Sequence, residues 1–140
     1  MSLKHKLAFL ILLAVFMVIN TGCVSLSPAE KIGYPILKNA GLTEEHDNNS
    51  MPALGGILNI LPGVGNFYLA AAGDETPQIA YGVVNLLFWP ISVVWGIPEG
   101  IIDGAALNKR KVYTYFKFDP RGKKEWEAYK AKNPDAPDLP

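Results

Sequence analysis

Uninterrupted apolar runs separated by short polar turns set the pattern of this chain. The first run covers residues 7–19 and follows a short basic segment. Two longer segments, residues 48–73 and 76–98, contain no charged residue, and an acidic turn separates them. Beyond residue 105 the pattern changes to basic and aromatic side chains. The pattern predicts a mainly α-helical protein, in which an apolar helical hairpin precedes a basic C-terminal module.

The first run has the organisation of a secretory signal. Lys4 and Lys6 precede it, and the polar or small residues at positions 20–22 follow it. A helix that spans a bilayer needs about 20 apolar residues, whereas this run has 13. We therefore expect residues 1–22 to be a signal peptide that is removed.

Cys23 directly follows this signal. Thr21, Gly22 and Cys23 resemble the end of the lipobox of bacterial lipoproteins, and Asn20 stands where that family has Leu, Val or Ile. The resemblance implies that the Cys23 thiol carries a diacylglyceryl group in thioether linkage. Several acyl chains on one residue make a stable anchor, because each buried methylene contributes about 0.8 kcal/mol. The alternative is a bystander cysteine in an uncleaved signal anchor.

The lipobox resemblance also implies a location. It indicates a lipoprotein of the bacterial cell envelope that is anchored to a membrane and faces the periplasm. Val24, rather than an aspartate, follows the cysteine, and in that family this favours the outer membrane over the inner one.

Residues 23–50 are predicted to be a lipid-anchored tether and a polar loop. The end of this segment is acidic and rich in turn formers, which is typical of an exposed loop. His46 lies there among three acidic neighbours, the one group that resembles a metal or acid–base site. Such a site needs ligands from several elements, and the other histidine, His5, belongs to the signal. We expect no metal site, no cofactor and no catalytic residue.

The apolar hairpin is assigned to residues 51–104. Pro62 interrupts its first segment, so we expect a break near residues 61–65 and two short helical pieces. The second segment, residues 79–97, is predicted to be one helix of about 28 Å with a kink at Pro90. Four aromatic residues are candidate anchors at the membrane interface: Tyr68, Tyr81, Trp89 and Trp95.

Several residues of the hairpin occur in a recognisable order. They are Gly65-Asn66-Phe67-Tyr68-Leu69, then Gly82, Asn85-Leu86-Leu87, Trp95 and Asp103. This order resembles the two-helix transmembrane (TM-two) domain family, although Asn66 replaces a basic residue of that family and Ala70 a glycine. The resemblance implies a membrane hairpin and carries no catalytic role.

A basic, aromatic module is assigned to residues 105–133. Its segment 109–124 contains seven basic side chains and one acidic side chain, a local charge of +6. We expect Lys109, Arg110 and Lys111 to contact membrane lipids, because each basic residue near an anionic surface contributes about 1 kcal/mol. The alternatives are a solvated basic end and nucleic-acid binding with aromatic stacking, and export argues against the second.

Three local structures are predicted within and after this module. Residues 112–118 are aromatic and β-branched, which indicates a strand or extended arm. Residues 123–132 have the pattern of a short amphipathic helix. Residues 134–140, with three prolines, are expected to be a disordered tail.

Composition limits the function further. The 140 residues carry 13 basic and 13 acidic side chains, 49% are hydrophobic and 19% are charged. These values argue against a disordered chain and against a strongly basic nucleic-acid binder. The single cysteine excludes an intramolecular disulfide and a CxxC metal site.

Topology limits how the hairpin lies in a membrane. A periplasmic N-terminus followed by two complete spans would return the basic tail to the periplasm, against the positive-inside tendency. We favour a hairpin that does not span and lies in one leaflet. The alternative is a single span with a cytoplasmic tail.

These patterns favour a small lipid-anchored envelope protein with a structural or accessory role. Its expected partners are membrane lipids and an envelope protein, and its oligomeric state stays open. The first alternative is a multi-pass inner-membrane transport or enzyme accessory subunit with an uncleaved signal anchor. Four carboxylates would serve that alternative, although they more simply mark the ends of the apolar segments: Asp74, Glu75, Glu99 and Asp103. The second alternative is a membrane-active, toxin-like peptide.

Overall fold

The computed structural model describes residue 5 and residues 24–140. The predicted signal peptide, apart from His5, and Cys23 lie outside the described residues. The described residues form six α-helices and no strand, so the mainly α-helical class is confirmed. The helices are α1 Pro28–Asn39, α2 Ser50–Leu58, α3 Val64–Gly73, α4 Pro77–Leu87, α5 Val93–Phe118 and α6 Pro120–Lys132. Within the described part of the chain, no helix combines the length and the apolarity that crossing a membrane requires.

Helix α5 connects two units of different character. Its first part, residues 93–108, packs with α2 and α3, and α3 packs in turn with α4; we call this the four-helix unit. Its last part, residues 109–118, packs with α1 and α6 and with the C-terminal residues; we call this the distal unit. The 26 residues of α5 correspond to about 39 Å. The positions of both units therefore depend on this one helix.

The predicted break in the first apolar segment lies at residues 59–63, between α2 and α3. Gly63 adopts a φ of 79°, which side chains other than glycine rarely tolerate. A Cβ atom at Gly63 would also overlap the carbonyl oxygen of Gly82 on α4. Glycine is therefore required here both by the backbone conformation and by the close approach of α4.

The second apolar segment differs from the prediction. We expected one helix kinked at Pro90, whereas α4 ends at Leu87 and α5 begins at Val93. Proline lacks an amide hydrogen and clashes with the preceding turn, which ends α4 instead of bending it. The hairpin is therefore folded as four helical pieces.

The predicted strand over residues 112–118 is wrong, because these residues form the end of α5. Val112, Tyr113 and Phe116 lie on one face of the helix and are buried in the core of the distal unit. This packing overrides the β propensity of the segment. Helix α6 begins at Pro120, and the Asp119 side chain caps it by accepting a hydrogen bond from the backbone N–H of Arg121.

Residues 134–140, which we expected to be disordered, lie against α5. Leu139 is buried in the core of the distal unit. Its carbonyl oxygen accepts a hydrogen bond from Lys117 Nζ at 2.7 Å, and the Tyr113 hydroxyl donates to the Pro140 carbonyl. Burial of the Leu139 side chain holds the tail against the distal unit, although the proline-rich composition of the segment indicates disorder.

Glycines allow α2 and α5 to pack backbone against backbone. Gly96, Gly100 and Gly104 recur every four residues on α5. A Cβ atom at Gly100 would overlap the carbonyl oxygen of Gly55, and one at Gly104 would lie 2.8 Å from that of Met51. Small residues at this spacing are typical of helix packing in membranes.

Replacing Gly100 by alanine is expected to lower the free energy of unfolding by about 1–3 kcal/mol, because the added methyl group meets rigid backbone. The control is Gly96→Ala, where a Cβ atom would lie 3.4 Å from Asn85 Nδ2 in ordinary contact. There the helix propensity of alanine leaves stability unchanged or raises it by up to about 1 kcal/mol. Thermal unfolding followed by circular dichroism measures both, and equal losses would contradict the close α2–α5 packing.

Candidate functional site

The four-helix unit has a polar interior. Polar side chains from its helices and connections are buried together, although the segments they belong to are mostly apolar. The buried polar residues are Asn59, Asn66, Gln78, Asn85, Ser92, Glu99, Asp103 and Asn108. Buried polar groups are costly unless they are hydrogen-bonded, so their partners decide whether this arrangement is stable.

Asn66 on α3 joins four parts of the unit. Its Nδ2 donates to Gln78 Oε1 at 2.8 Å, and its Oδ1 accepts from Asn85 Nδ2 at 2.8 Å. Its backbone N–H donates to Asn59 Oδ1 at 3.3 Å. Gln78 Nε2 in turn donates to Asp103 Oδ2 at 2.6 Å. Asn66 thus joins the α2–α3 break through its backbone and α4 through its side chain, and Gln78 extends the hydrogen bonding to α5.

Asn85 on α4 extends the network towards the start of α5. Its Oδ1 accepts from Trp95 Nε1 at 2.6 Å, and its Nδ2 lies 3.4 Å from Glu99 Oε2. Its backbone carbonyl accepts from Ser92 Oγ at 2.5 Å. Among the residues described, no buried side-chain nitrogen or oxygen lacks a hydrogen-bond partner. The interior is therefore a connected network that is fully satisfied within the protein.

We expected Glu99 and Asp103 to mark the end of an apolar segment, but both side chains are buried in the interior of the four-helix unit. Helix α5 continues past both residues. Asp103 also binds the N-terminal segment, because its Oδ1 accepts the backbone N–H of Val24 at 3.1 Å. The other two predicted carboxylates lie outside the interior: Asp74 is exposed, and Glu75 pairs with Arg110.

Large apolar side chains of the same helices face outward. The contacts of α2 and of α4 with α5 are antiparallel, so the connections 59–63 and 88–92 lie at one end of the unit, which we call the apolar end. Leu87 and Val94 are each 75% exposed there. The other large apolar side chains that are more than half exposed at this end are Ile57, Ile60, Leu61, Leu86, Phe88, Trp89 and Ile91. Exposed apolar patches of this kind mark surfaces that contact protein or membrane.

The four predicted aromatic anchors divide into two pairs. Trp89 and Tyr81 are exposed on the four-helix unit. Trp95 is half-buried and donates its indole N–H to the interior network. Tyr68 is also half-buried and packs against a small apolar cluster that includes Leu69 and Leu107. Trp89 and Tyr81 therefore present surface outside the unit, whereas Trp95 would have to leave the interior network to act as an anchor.

The three predicted lipid-contacting basic residues also differ. Lys109 and Lys111 are exposed, whereas Arg110 is half-buried. Arg110 pairs with two carboxylates and donates to a backbone carbonyl: Glu30 at 3.2 Å, Glu75, and the Ser25 oxygen at 2.9 Å. Arg110 therefore holds the N-terminal segment and α1 against the four-helix unit instead of facing outward.

His46 packs into the distal unit. Its ring centroid lies 4.3 Å from that of Tyr115, and its Nε2 lies 3.2 Å from Glu125 Oε2. The Tyr115 hydroxyl donates to Glu125 Oε1 at 2.6 Å and, with a smaller contribution from His46, holds the pKa of Glu125 below its usual value. The described residues contain no group of three or more side chains able to hold a metal ion. His46 fastens its loop to α6 in this arrangement.

A spacing signal for the polar interior was present in the sequence and was missed. Asn59 and Asn66 are seven residues apart, and the same interval separates Gln78, Asn85, Ser92 and Glu99. Seven residues are close to two helical turns, so Gln78 and Asn85 share one face of α4. The other intervals cross the helix breaks, where the chain returns the polar side chain to the same interior. An interpretation of these segments as apolar runs alone does not use this spacing.

Comparisons of the chain with protein-family models, with curated proteins and with solved structures give no match.

Replacing Asn66 by alanine is expected to destabilise the four-helix unit strongly, because Gln78 and Asn85 would each lose a buried partner. An abandoned buried polar group costs about 1–3 kcal/mol. The control is Asn49→Ala, at an exposed residue whose side chain makes no capping hydrogen bond to α2. Thermal unfolding of both variants measures the difference, and a similar small loss in the two would argue against the network.

Proposed function

We propose that this protein is a small lipid-anchored protein of the bacterial cell envelope, with a structural or accessory role and no catalysis. In this proposal the four-helix unit inserts into one leaflet of a membrane, with its apolar end deepest. Membrane lipids are its direct partners, and an envelope protein is the expected partner of the part outside the lipid.

The inverted polarity of the four-helix unit is the observation that supports insertion most directly. Its hydrogen-bonded polar side chains are inside, and its large apolar side chains, such as Leu87 and Val94, are outside. A large apolar side chain that moves from water into an apolar phase gains up to about 1.5–3 kcal/mol, and roughly half of that when it is half exposed. A group of such side chains at one end favours transfer of that end into lipid.

The lengths of the helices support insertion into one leaflet. Helices α2, α3 and α4 have 9, 10 and 11 residues. These lengths correspond to about 13–17 Å, which is roughly half of a hydrocarbon core of about 30 Å. The apolar end would then lie near the middle of the bilayer.

At both helix breaks of the apolar end, polar side chains form hydrogen bonds with backbone groups that would have no water partner in lipid. Backbone groups freed at a helix break must find partners inside the protein when lipid surrounds it. Asn59, in the first break, accepts the backbone N–H of Asn66, in the first turn of α3, through its Oδ1 at 3.3 Å. Ser92, in the second, donates from its Oγ to the Asn85 carbonyl in the last turn of α4, where carbonyl groups lack a partner within the helix.

The distribution of charge supports the same orientation. The apolar end lies within the two segments that contain no charged residue. Lys109 and Lys111, which are exposed, lie further along α5 on the side of the distal unit. In this orientation the two lysines lie near the anionic head groups, where each contributes about 1 kcal/mol.

We include lipidation of Cys23 in the proposal because of the lipobox resemblance. Two hydrogen bonds hold the residues after Cys23 against α5, and this position is compatible with an anchor at Cys23. They run from the Val24 N–H to Asp103 and from Arg110 to the Ser25 carbonyl. An acylated Cys23 would then enter the lipid beside the inserted helices.

Insertion predicts that the apolar end is hidden from water in native envelopes. A cysteine introduced at Leu87 or Val94 is expected to react at least about tenfold more slowly with a charged, membrane-impermeant maleimide than one at Phe118. Lipid excludes the reagent and raises the pKa of the thiol. Phe118 is the matched control, since it is a large apolar residue that is 63% exposed in the distal unit.

Leu87 and Val94 are exposed in the protein itself, so slow labelling in native envelopes reports coverage from outside the chain and not burial within it. Denaturation in detergent removes that coverage, and labelling at both positions should then approach that of the control position. Equal labelling at all three positions in intact envelopes would refute insertion.

Lipidation predicts a defined mass for the protein isolated from its native envelope. Intact mass spectrometry is expected to give a chain that starts at Cys23 and carries acyl chains, and the Cys23→Ala variant is expected to lack them. A mass that retains Met1 and has no lipid would favour the multi-pass inner-membrane subunit with a signal anchor. That outcome would overturn the lipoprotein assignment without touching the insertion of the four-helix unit.

A further inference from the structure

A groove of about 480 Å³ lies between the N-terminal segment and the outer face of α5. Its apolar lining comes from two side chains of the segment and four of the helix: Val24, Leu26, Ile101, Ile102, Ala105 and Ala106. Ser25 and two exposed cationic residues, Lys31 and Lys109, complete the lining. The groove therefore combines an apolar surface with positive charge.

The position of the groove is fixed by two hydrogen bonds of the N-terminal segment. Val24 is buried, and its backbone N–H donates to Asp103 at 3.1 Å. The Ser25 carbonyl accepts from Arg110 Nη2 at 2.9 Å. Consecutive α-carbons are about 3.8 Å apart, so a group attached to Cys23 starts within a few ångströms of the Val24 end of the groove.

The direction of the groove matches that of an inserted lipid. Ile101 and Ile102 lie closer to the apolar end than Lys109 does, because α5 starts at that end. Both isoleucines are about half exposed, at 46% and 49%. An acyl chain from Cys23 that follows α5 towards the apolar end would cover them. The two lysines lie where the phosphates of neighbouring lipids would be.

We propose that this groove holds one of the acyl chains carried by Cys23. The inference rests on the proposed lipidation and adds that the anchor is part of the packed structure and does more than tether it. One chain lies along residues 101–106 of α5, and the others enter the surrounding lipid. The lipid thereby fastens the N-terminal segment to the four-helix unit.

The test is intramolecular photocrosslinking in the full-length protein. Cells are supplied with a fatty acid that bears a diazirine on its chain, and native envelopes are irradiated before the protein is purified and digested. The expected product joins the Cys23 lipopeptide to a peptide that contains residues 101–106. Mass spectrometry identifies this product.

Two matched variants test whether the groove is responsible. Ile102→Trp fills the groove and is expected to lower the yield of the crosslink at least about tenfold, since several methylenes lose their contacts. Ile79→Trp is the control, because Ile79 is equally exposed, at 49%, on α4. Both positions are half exposed, so both variants are expected to fold.

Each other outcome overturns the inference. A Cys23 lipid that crosslinks to α3 or α4 as often as to α5, or only to bilayer lipids, leaves the groove without its proposed occupant. A phospholipid crosslinked to residues 101–106 in the Cys23→Ala variant assigns the groove to a lipid of the bilayer. Absence of acyl mass on Cys23 refutes the proposed lipidation itself, so the two failures are distinguishable.

Discussion

A polar side chain removed from water must find its partners within the protein, and the four-helix unit is organised around that constraint. The amide of Asn66 uses both its donor and its acceptor, and each neighbour passes the hydrogen bonding on to another helix. Helices surrounded by lipid gain little from the hydrophobic effect when they associate. Hydrogen bonds and close van der Waals packing then hold them together. In the four-helix unit the network supplies the hydrogen bonds, and the close approach of Gly55 and Gly100 supplies the van der Waals packing.

The distal unit has an apolar interior, in contrast to the four-helix unit, and α5 belongs to both units. Towards the start of α5 the inward side chains are polar, as at Glu99 and Asp103. Towards its end they are apolar, as at Val112 and Phe116, which pack with residues of α1 and α6. Arg110 lies at the transition, where its ion pairs tie the two units and the N-terminal segment together. One helix thus changes along its length from a polar inward face to an apolar inward face.

The sequence predicted features that depend on local chemistry. The helical class, and the break beside Pro62 and Gly63, follow from apolar patterning and from the backbone limits of proline and glycine. Features that depend on tertiary packing were not accessible in the same way. Residues 112–118 are helical because the distal core buries one of their faces, and Leu139 is ordered for the same reason. The inward direction of Glu99 required knowing that α5 continues through it, which propensity alone does not indicate.

The continuity of α5 also has a mechanical consequence. No break separates Asp103, beside the N-terminal segment, from Phe118 at the end of the helix, a distance of about 22 Å. The helix therefore acts as a spacer that fixes the distance and tilt of the distal unit relative to the apolar end. In the proposed inserted arrangement, a partner that pulls on α6 would rotate α5 and the helices packed on it together, so a displacement of the distal unit is transmitted to the apolar end.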